Sequence, residues 1–312
     1  MAAITHSGEK NSRSLDIIFS ELGLNLQILV NILEDIFTNE AYRGRKESAM
    51  SQQLTFDEEQ SRAIEAIYLS ERALARRKRA LELVGIDKAH TFLDLGCGPG
   101  FLLAEAAEIV GGSGEVHAVD SSDNMLAMAQ ARAGKSVAGD IVRFHSADVA
   151  QLPLPDAQFD AAAVIQVYEY VSDMPAALAE LHRVLKPGGQ VVIIDTDWDT
   201  LAFESLDPAL TNKIFKVWEG HLADPSLPRS LCPLLETAGF EVSTVEPLVQ
   251  FAAGKPDVFA NALLKLVRDY VVGKEGLTEA QVDEWAKGMK ELADKNAFFW
   301  SICQFMFVAR RL

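Results

Sequence analysis

The chain has 312 residues, 49% hydrophobic and 24% charged, enough to bury a large core and too apolar for global disorder. Its 29 lysines and arginines stand against 45 aspartates and glutamates, and the formal charge of -16 sets nucleic acid and anionic membrane surfaces aside as partners. Three scattered cysteines, Cys97, Cys232 and Cys303, argue against a disulfide framework and a thiolate metal site, so a reducing cytoplasm is expected.

Residues 1–13 are polar and lack the apolar core of an export signal, and no later stretch reaches the ~18 uninterrupted apolar residues of a membrane span. Leu15, Ile18, Leu22, Leu26, Leu29, Leu33 and Ile36 recur at spacings of three and four, which predicts an amphipathic helix over 14–38. Such a helix packs on its own domain, covers a site or pairs two copies in a homodimer, and the pattern alone suits all three. A polar linker is expected over 39–59. Helical patterns resume over 56–84, with Gly85 placed to stop them. The basic run Arg72, Arg76, Arg77, Lys78 and Arg79 within them reads as a solvated helix face.

Short apolar runs at 91–95, 115–120, 142–146, 160–165 and 190–195 suit strands. Apolar helical segments around 102–110, 124–133 and 176–185 separate them, an alternation of βαβ units with right-handed crossovers and a mainly parallel sheet. An aromatic-rich connection is expected over 196–230, then a helix, Gly239 and a strand from Phe240. A second insertion runs over about 254–295, where Thr278 and Gln281 have the spacing of a capping box, and 298–309 reads as the last strand. The expected organisation is an N-terminal helical extension and linker over 1–60, a core over 61–250 that includes the 196–230 insertion, and a helical insertion with the last core strand over 251–312.

The run Phe92-Leu93-Asp94-Leu95-Gly96-Cys97-Gly98-Pro99-Gly100 is an apolar strand leading directly into a glycine-rich turn and then a helix. Glycine is needed where backbone turns sharply and meets a ligand closely, because a Cβ clashes with either need. In the dinucleotide fingerprint a third glycine stands three residues after the second, and Phe101 occupies that place here. At the end of the second strand, Asp120 and Ser121 put a carboxylate where α/β sites read ribose hydroxyls, NAD sites included. Ser146-Ala147-Asp148, Leu152-Pro153-Leu154-Pro155-Asp156 and Phe159-Asp160 follow, then Arg183-Val184-Leu185-Lys186-Pro187-Gly188-Gly189 before the fifth strand.

Taken in order over about 91–196, these motifs resemble class I S-adenosylmethionine-dependent methyltransferases, in particular those similar to the ubiquinone and menaquinone C-methyltransferases. The resemblance implies an α/β fold: a Rossmann-like, seven-stranded, mainly parallel sheet with an N-terminal helical extension and helical insertions. It also implies that Asp94 and the turn Gly96, Cys97, Gly98 and Gly100 hold the amino-acid end of S-adenosylmethionine. Asp120 and Ser121 take the ribose, Met125 packs on the adenine or in the core, Ala147 and Asp148 meet the adenine amino group, and Gln166 lies near the methyl. The flanks look like a branch carrying Asp197-Trp198-Asp199 and His221-Leu222-Ala223-Asp224-Pro225, from which no substrate follows.

Methyl transfer from a sulfonium is an in-line displacement that gains from proximity and orientation, plus a base when the acceptor carries a proton. Candidates at the ends of strands four and five are Gln166, Tyr168, Glu169, Tyr170, Asp195, Asp197 and Trp198. Tyr168 has a ring able to face a cation, or is a tyrosine buried at the start of a helix. His221 is a general base or hydrogen-bonded structure. Asp195, Asp197 and Asp199 read as caps or pocket acids, and no metal is expected.

The acceptor is expected to be a small molecule: no Asn-Pro-Pro-Tyr or Asp-Pro-Pro-Tyr stands at Gln166-Val167-Tyr168-Glu169, and no thiolate cluster is present. Trp198, Phe203, Phe215 and Trp218 line its pocket or pack a core. Two other classes compete: an NAD-dependent oxidoreductase, disfavoured by Phe101, and a non-catalytic module that binds S-adenosylmethionine.

Overall fold

Strands buried on both faces read as continuous apolar runs, and the run Phe92-Leu93 with its neighbours forms such a strand in the interior of the sheet. The computed structural model describes residues 68–135 and 139–312. The expected helix over 14–38, the linker over 39–59 and the first part of the 56–84 pattern lie outside the described residues.

Helix α1 (Glu71–Leu83) precedes β1 (Thr91–Leu95), and Gly85, at φ +65°, follows the helix at the turn that stops it. Alternation then gives α2 (Phe101–Val110), β2 (Glu115–Asp120), α3 (Asp123–Ala133), β3 (Val142–Ser146), β4 (Phe159–Ile165) and α4 (Met174–Val184). Strand β5 (Leu185–Phe203) is followed by α5 (Pro208–Trp218), α6 (Leu231–Thr237), β6 (Phe240–Gly254), α7 (Val258–Val271), α8 (Glu279–Asp294) and β7 (Phe298–Arg311). The capping box at Thr278 and Gln281 opens α8 as its spacing predicts.

The sheet order is β3-β2-β1-β4-β5-β7-β6. Strands β1 to β5 pair in parallel, and β7 runs antiparallel between β5 and β6. The chain builds outward from β1 to β3 and then returns to the other side of β1, so β1 and β4 form the point of reversal, where open α/β sheets bind ligands beyond their carboxyl ends. Side chains alternate between two cores. Leu93, Leu95, Val191 and Ile193 join Leu178 and Leu181 of α4 on one face. Phe92, Val116, Val192 and Ile194 join Leu81 of α1, Leu103 of α2 and Ala129 of α3 on the other.

Two expectations are corrected here. The fifth strand does not end at Asp195; it continues to Phe203, because the facing segment of β7 keeps pairing with it as far as Phe203↔Trp300, past a register shift between Asp197 and Ala202. The connection expected over 196–230 is therefore strand first and helix afterwards. The basic run of α1 is a solvated face only in part: Arg72, Lys78 and Arg79 are exposed, whereas Arg76 is half-buried and Arg77 buried. Arg77 is 3% exposed, donating to Glu105 and to the Tyr68 carbonyl, and Arg79 pairs with Glu246.

A third core forms where these extended strands meet α5, α7 and α8. Trp198, Phe215, Trp218, Leu263, Val267, Trp285, Met289 and Trp300 pack together in it, bringing side chains from the 196–230 and 254–295 segments into one cluster. Burying so much aromatic surface gives the cluster a large apolar stabilisation of its own.

Candidate active site

The glycine turn after β1 is left-handed at each of its glycines: φ is +71° at Gly96, +51° at Gly98 and +80° at Gly100. Gly96 also has no room for a side chain, since a Cβ there stands 2.2 Å from Val167 Cγ2. At Gly98 the corresponding direction is open, and the nearest atom is the Tyr68 hydroxyl at 3.7 Å. The amides of Gly96 and Cys97 donate to the Val119 carbonyl at 2.7 and 2.9 Å, fastening the turn to β2. Asp120, the last residue of β2, accepts from the Gly98 amide through Oδ2 and from the Ser122 amide through Oδ1, both at 2.9 Å. Phe101 supports the turn as an aromatic platform, stacked on Tyr68 at 5.3 Å with the Arg132 guanidinium over its ring at 3.6 Å.

Asp94 is 3% exposed, and its Oδ2 has no hydrogen-bond partner among the described residues. Burial, reinforced by the nearby Asp120 charge and opposed by Arg77, pushes its carboxyl up to about 8. Burial also raises Asp120, against the hydrogen bonds from Ser122, Gly98 and Ser121. Cys97 is buried and its thiol is pushed up by desolvation, which makes it inert in the turn. Ser121 is exposed and Met125 half-buried at the start of α3. The Ala147 amide donates to the Asp120 carbonyl at 3.2 Å, and exposed Asp148 accepts from the Ala150 amide at 2.8 Å. The residues expected to hold a nucleoside thus lie side by side at the carboxyl ends of β1, β2 and β3.

Gln166 follows β4 with φ +57°, a conformation a side chain resists, and persists there because its amide is bonded to the Ile194 carbonyl at 2.7 Å. Its Oε1 accepts from Thr196 Oγ1 at 2.8 Å and Gln304 Nε2 at 2.5 Å, while its Nε2 has no partner. Beside this group sit two buried acids. Glu169, 1% exposed, accepts from Trp198 Nε1 at 3.1 Å and the Thr196 amide at 3.3 Å. Burial lifts its carboxyl to about 7, against the opposing pull of those bonds, of Tyr170 and of Arg76. Asp195 is pushed well above its ordinary range by burial and by Glu169.

Tyr168 and His221 sit among apolar and aromatic side chains rather than in this polar group. Tyr168 is fully buried in the core that contains Leu178 and Leu181, its hydroxyl unpartnered, so the buried-tyrosine reading describes it. His221 lies in the third core's aromatic shell, with ring centroids 4.0 Å from Trp218, 5.4 Å from Tyr270, 5.7 Å from Tyr170 and 6.3 Å from Trp198. Its Nδ1 is bonded to the Trp218 carbonyl, and burial lowers it to about 4. Of the acids expected to cap or line, Asp197 and Asp199 cap nothing: Arg229 grips Asp197 through two bonds of 2.8 and 3.0 Å and reaches Asp199 at 3.1 Å. Trp198, Phe215 and Trp218 pack the third core, with Phe203 against it.

Arg76, Thr196, Gln304 and Tyr68 were not legible as site residues. Gln304 carries the one available signal, an amide inside the apolar run Ile302-Cys303-Gln304-Phe305-Met306 of β7.

Residues 93–193 match the family model described as a methyltransferase domain. That segment of the chain is a methyltransferase domain. It is 33% identical over 228 residues to an uncharacterized 37.1 kDa transposon protein of Streptomyces fradiae, covering 70% of this chain and 61% of that one. It is 40% identical over 119 residues to the 2-phytyl-1,4-naphtoquinone methyltransferase of Nostoc punctiforme, covering 38% and 52%. The chain thus spans about half to three fifths of the length of these curated relatives. Among solved structures, a geranyl diphosphate C-methyltransferase from Streptomyces coelicolor superimposes with a TM-score of 0.52 at 18% identity, covering 84% of this chain and 86% of that one, a likeness of fold. No helix among the described residues is long and apolar enough to cross a membrane. Among the described residues no group of three His, Cys, Asp or Glu is placed to hold a metal ion.

Proposed function

We propose that this chain is an S-adenosylmethionine-dependent methyltransferase of a small organic acceptor. The observation that carries the reading is the buried Asp94 carboxyl with an unpartnered oxygen, set beside a glycine turn whose Gly98 face is open. A buried unsatisfied carboxyl is costly, and an ammonium placed there satisfies it. The amino-acid end of S-adenosylmethionine offers that ammonium, so the residues present fit the group. When bound, it supplies an electrophilic methyl carried on a sulfonium.

In this reading Asp94 and the backbone of Gly96, Cys97, Gly98 and Gly100 receive the amino-acid end. Asp120, each oxygen of which retains acceptor capacity beyond its backbone bond, takes the ribose with Ser121. Met125, Ala147 and Asp148 border the adenine, and Gln166 turns an unpartnered amide toward the donor end. Glu169 is the candidate proton acceptor, because its carboxylate is joined to Gln166 through Thr196 and burial raises it toward neutral pH. Tyr168 and His221 act through others: Tyr168 underlies the β4 end, and His221 backs Trp198, which donates to Glu169.

In the same reading the setting is a reducing cytoplasm, and the negative charge leaves nucleic acid and anionic membrane surfaces outside the partner set. Calorimetry of the full chain with S-adenosylhomocysteine and, separately, NAD tests the reading. Binding of S-adenosylhomocysteine alone, weakened in Asp94→Asn, supports it; binding of NAD alone overturns it in favour of an oxidoreductase. Binding of S-adenosylhomocysteine without turnover of any acceptor in a broad panel leaves the non-catalytic module.

A further inference from the structure

Helix α1 carries four arginines, and three of them are paired: Arg72 with Asp257 at 3.3 Å, Arg77 with Glu105 at 2.8 Å and Arg79 with Glu246 at 2.5 Å. Arg76 has no ion-pair partner among the described residues. Its NH1 donates to Gln304 Oε1 at 2.8 Å, a neutral amide, and its Nε is buried with no partner. Guanidinium keeps its charge at every ordinary pH, so this is a standing positive charge in a low-dielectric setting with donors to spare. The residue is half-buried and the Glu169 carboxyl is the acid that bears on it electrostatically, yet the buried Nε has no acceptor, and an arriving anion satisfies it.

A place for that anion exists. Arg76 lines a cavity of about 320 Å³ between α1 and the β6–α7 junction, with Ser70, Glu71, Arg72, Gln250 and Asp257 among its walls. Arg72 and Asp257 neutralise each other across it, and Glu71 is an exposed side chain at the start of α1. From the cavity the hydrogen bonds run inward: Arg76 to Gln304, and Gln304 to Gln166, just after β4, and to Thr196 within β5. A ligand group held by Arg76 is thereby held in register with the residues expected near the transferred methyl.

We infer that Arg76 and its cavity form a receptor for a planar oxyanion, a carboxylate or an ionised enol or phenol, delivered into the reaction site. The inference rests on the methyltransferase reading for the two sources that carry such a group: the α-carboxylate of the cosubstrate, or the acceptor as the enolate or phenolate that a methyl transfer consumes. Guanidinium pairs with both through two parallel N–H donors. Its role is to bind and orient, and no bond to Arg76 forms or breaks.

The test uses the full chain and its Arg76→Met and Arg76→Lys variants, with thermal melts to check folding. Calorimetry is run with S-adenosylhomocysteine, with 5′-methylthioadenosine, which lacks the amino-acid end, with the anion 2-hydroxy-1,4-naphthoquinone at pH 8, and with neutral 1,4-naphthoquinone. Losing a charged hydrogen-bond partner weakens binding about tenfold or more.

If the cosubstrate is the source, Arg76→Met loses that affinity for S-adenosylhomocysteine and keeps it for methylthioadenosine. If the acceptor is the source, it loses hydroxynaphthoquinone and leaves S-adenosylhomocysteine intact. Arg76→Lys recovers part of the loss in both cases. Unchanged affinity for both anions, or equal losses for charged and neutral ligands, overturns the inference. A wild-type chain that binds no S-adenosylhomocysteine sinks the methyltransferase reading instead, and the Arg76 site is then judged on hydroxynaphthoquinone alone.

Discussion

The Asp120 carboxylate accepts a hydrogen bond from the Gly98 amide at 2.9 Å, tying the end of β2 to the turn that follows β1. One side chain thus sets the shape of the glycine turn and offers acceptors for a ribose, so removing it strikes twice. Asp120→Ala is expected to lower S-adenosylhomocysteine affinity by about 10- to 100-fold, the size of one hydrogen bond to a charged group, and to lower Tm by a few degrees. Calorimetry beside a thermal melt checks this. Unaltered affinity in a folded variant removes Asp120 from the site.

Asp94 links binding to pH. With its carboxyl at about 8, the free protein holds a proton there at neutral pH, and pairing with an ammonium expels it. Binding of S-adenosylhomocysteine should therefore release a proton near pH 7 and tighten between pH 6 and 8, by up to about tenfold per unit. Calorimetry in buffers of different ionisation enthalpy reads the released proton directly.

Stability of the free protein runs the other way. A carboxyl raised in the folded state ionises first in the unfolded chain, so stability present at acid pH is lost as pH climbs from 3.8 through about 8. Asp94→Asn keeps the shape and removes the charge. It should melt higher than the wild type at pH 9, by about 3–6 °C, and bind S-adenosylhomocysteine more weakly. A variant that melts lower at pH 9 contradicts the buried-charge account.

The contrast between Asp94 and Arg76 shows what a sequence discloses. Asp94 stands in an apolar strand two residues before the first glycine, where local pattern fixes both its element and its neighbours. The same holds for strands β1 to β4 and the helices between them, whose signals are local periodicity and turn chemistry. Arg76 sits in a helical basic run, and its inward hydrogen bond depends on β7 bringing Gln304 against it from 228 residues away. The extension of β5 past Asp195 is hidden for a related reason: it needs the facing segment of β7, roughly a hundred residues on. Gathering the 196–230 and 254–295 segments into one aromatic core is likewise a tertiary fact that no window along the chain displays.

His221 predicts an acid limb of the stability curve. Burial in an aromatic shell holds it neutral to about 4, below its unfolded value of 6.5. The unfolded chain therefore binds the proton first, and stability is lost as pH falls from 6.5 to 4, by about 3 kcal/mol at most. His221→Phe removes that titration while keeping a ring in the shell, so its denaturation midpoint should fall less across this window. Parallel curves for variant and wild type would place the acid sensitivity elsewhere.

Gly96 separates sterics from ligand chemistry. A Cβ there meets Val167 Cγ2 at 2.2 Å, and the backbone φ of +71° adds strain for any L side chain. Gly96→Ala is expected to cost about 2–4 kcal/mol, the sum of a packing clash and a left-handed alanine. Val167→Ala removes the atoms in the way, so the double variant Gly96→Ala/Val167→Ala should recover the clash and keep a residual cost of about 1–2 kcal/mol from the backbone. Chemical denaturation of the four members of this cycle gives the coupling. Strict additivity would mean that the turn and the segment after β4 do not press on each other, and the glycine would then be required for its backbone conformation alone.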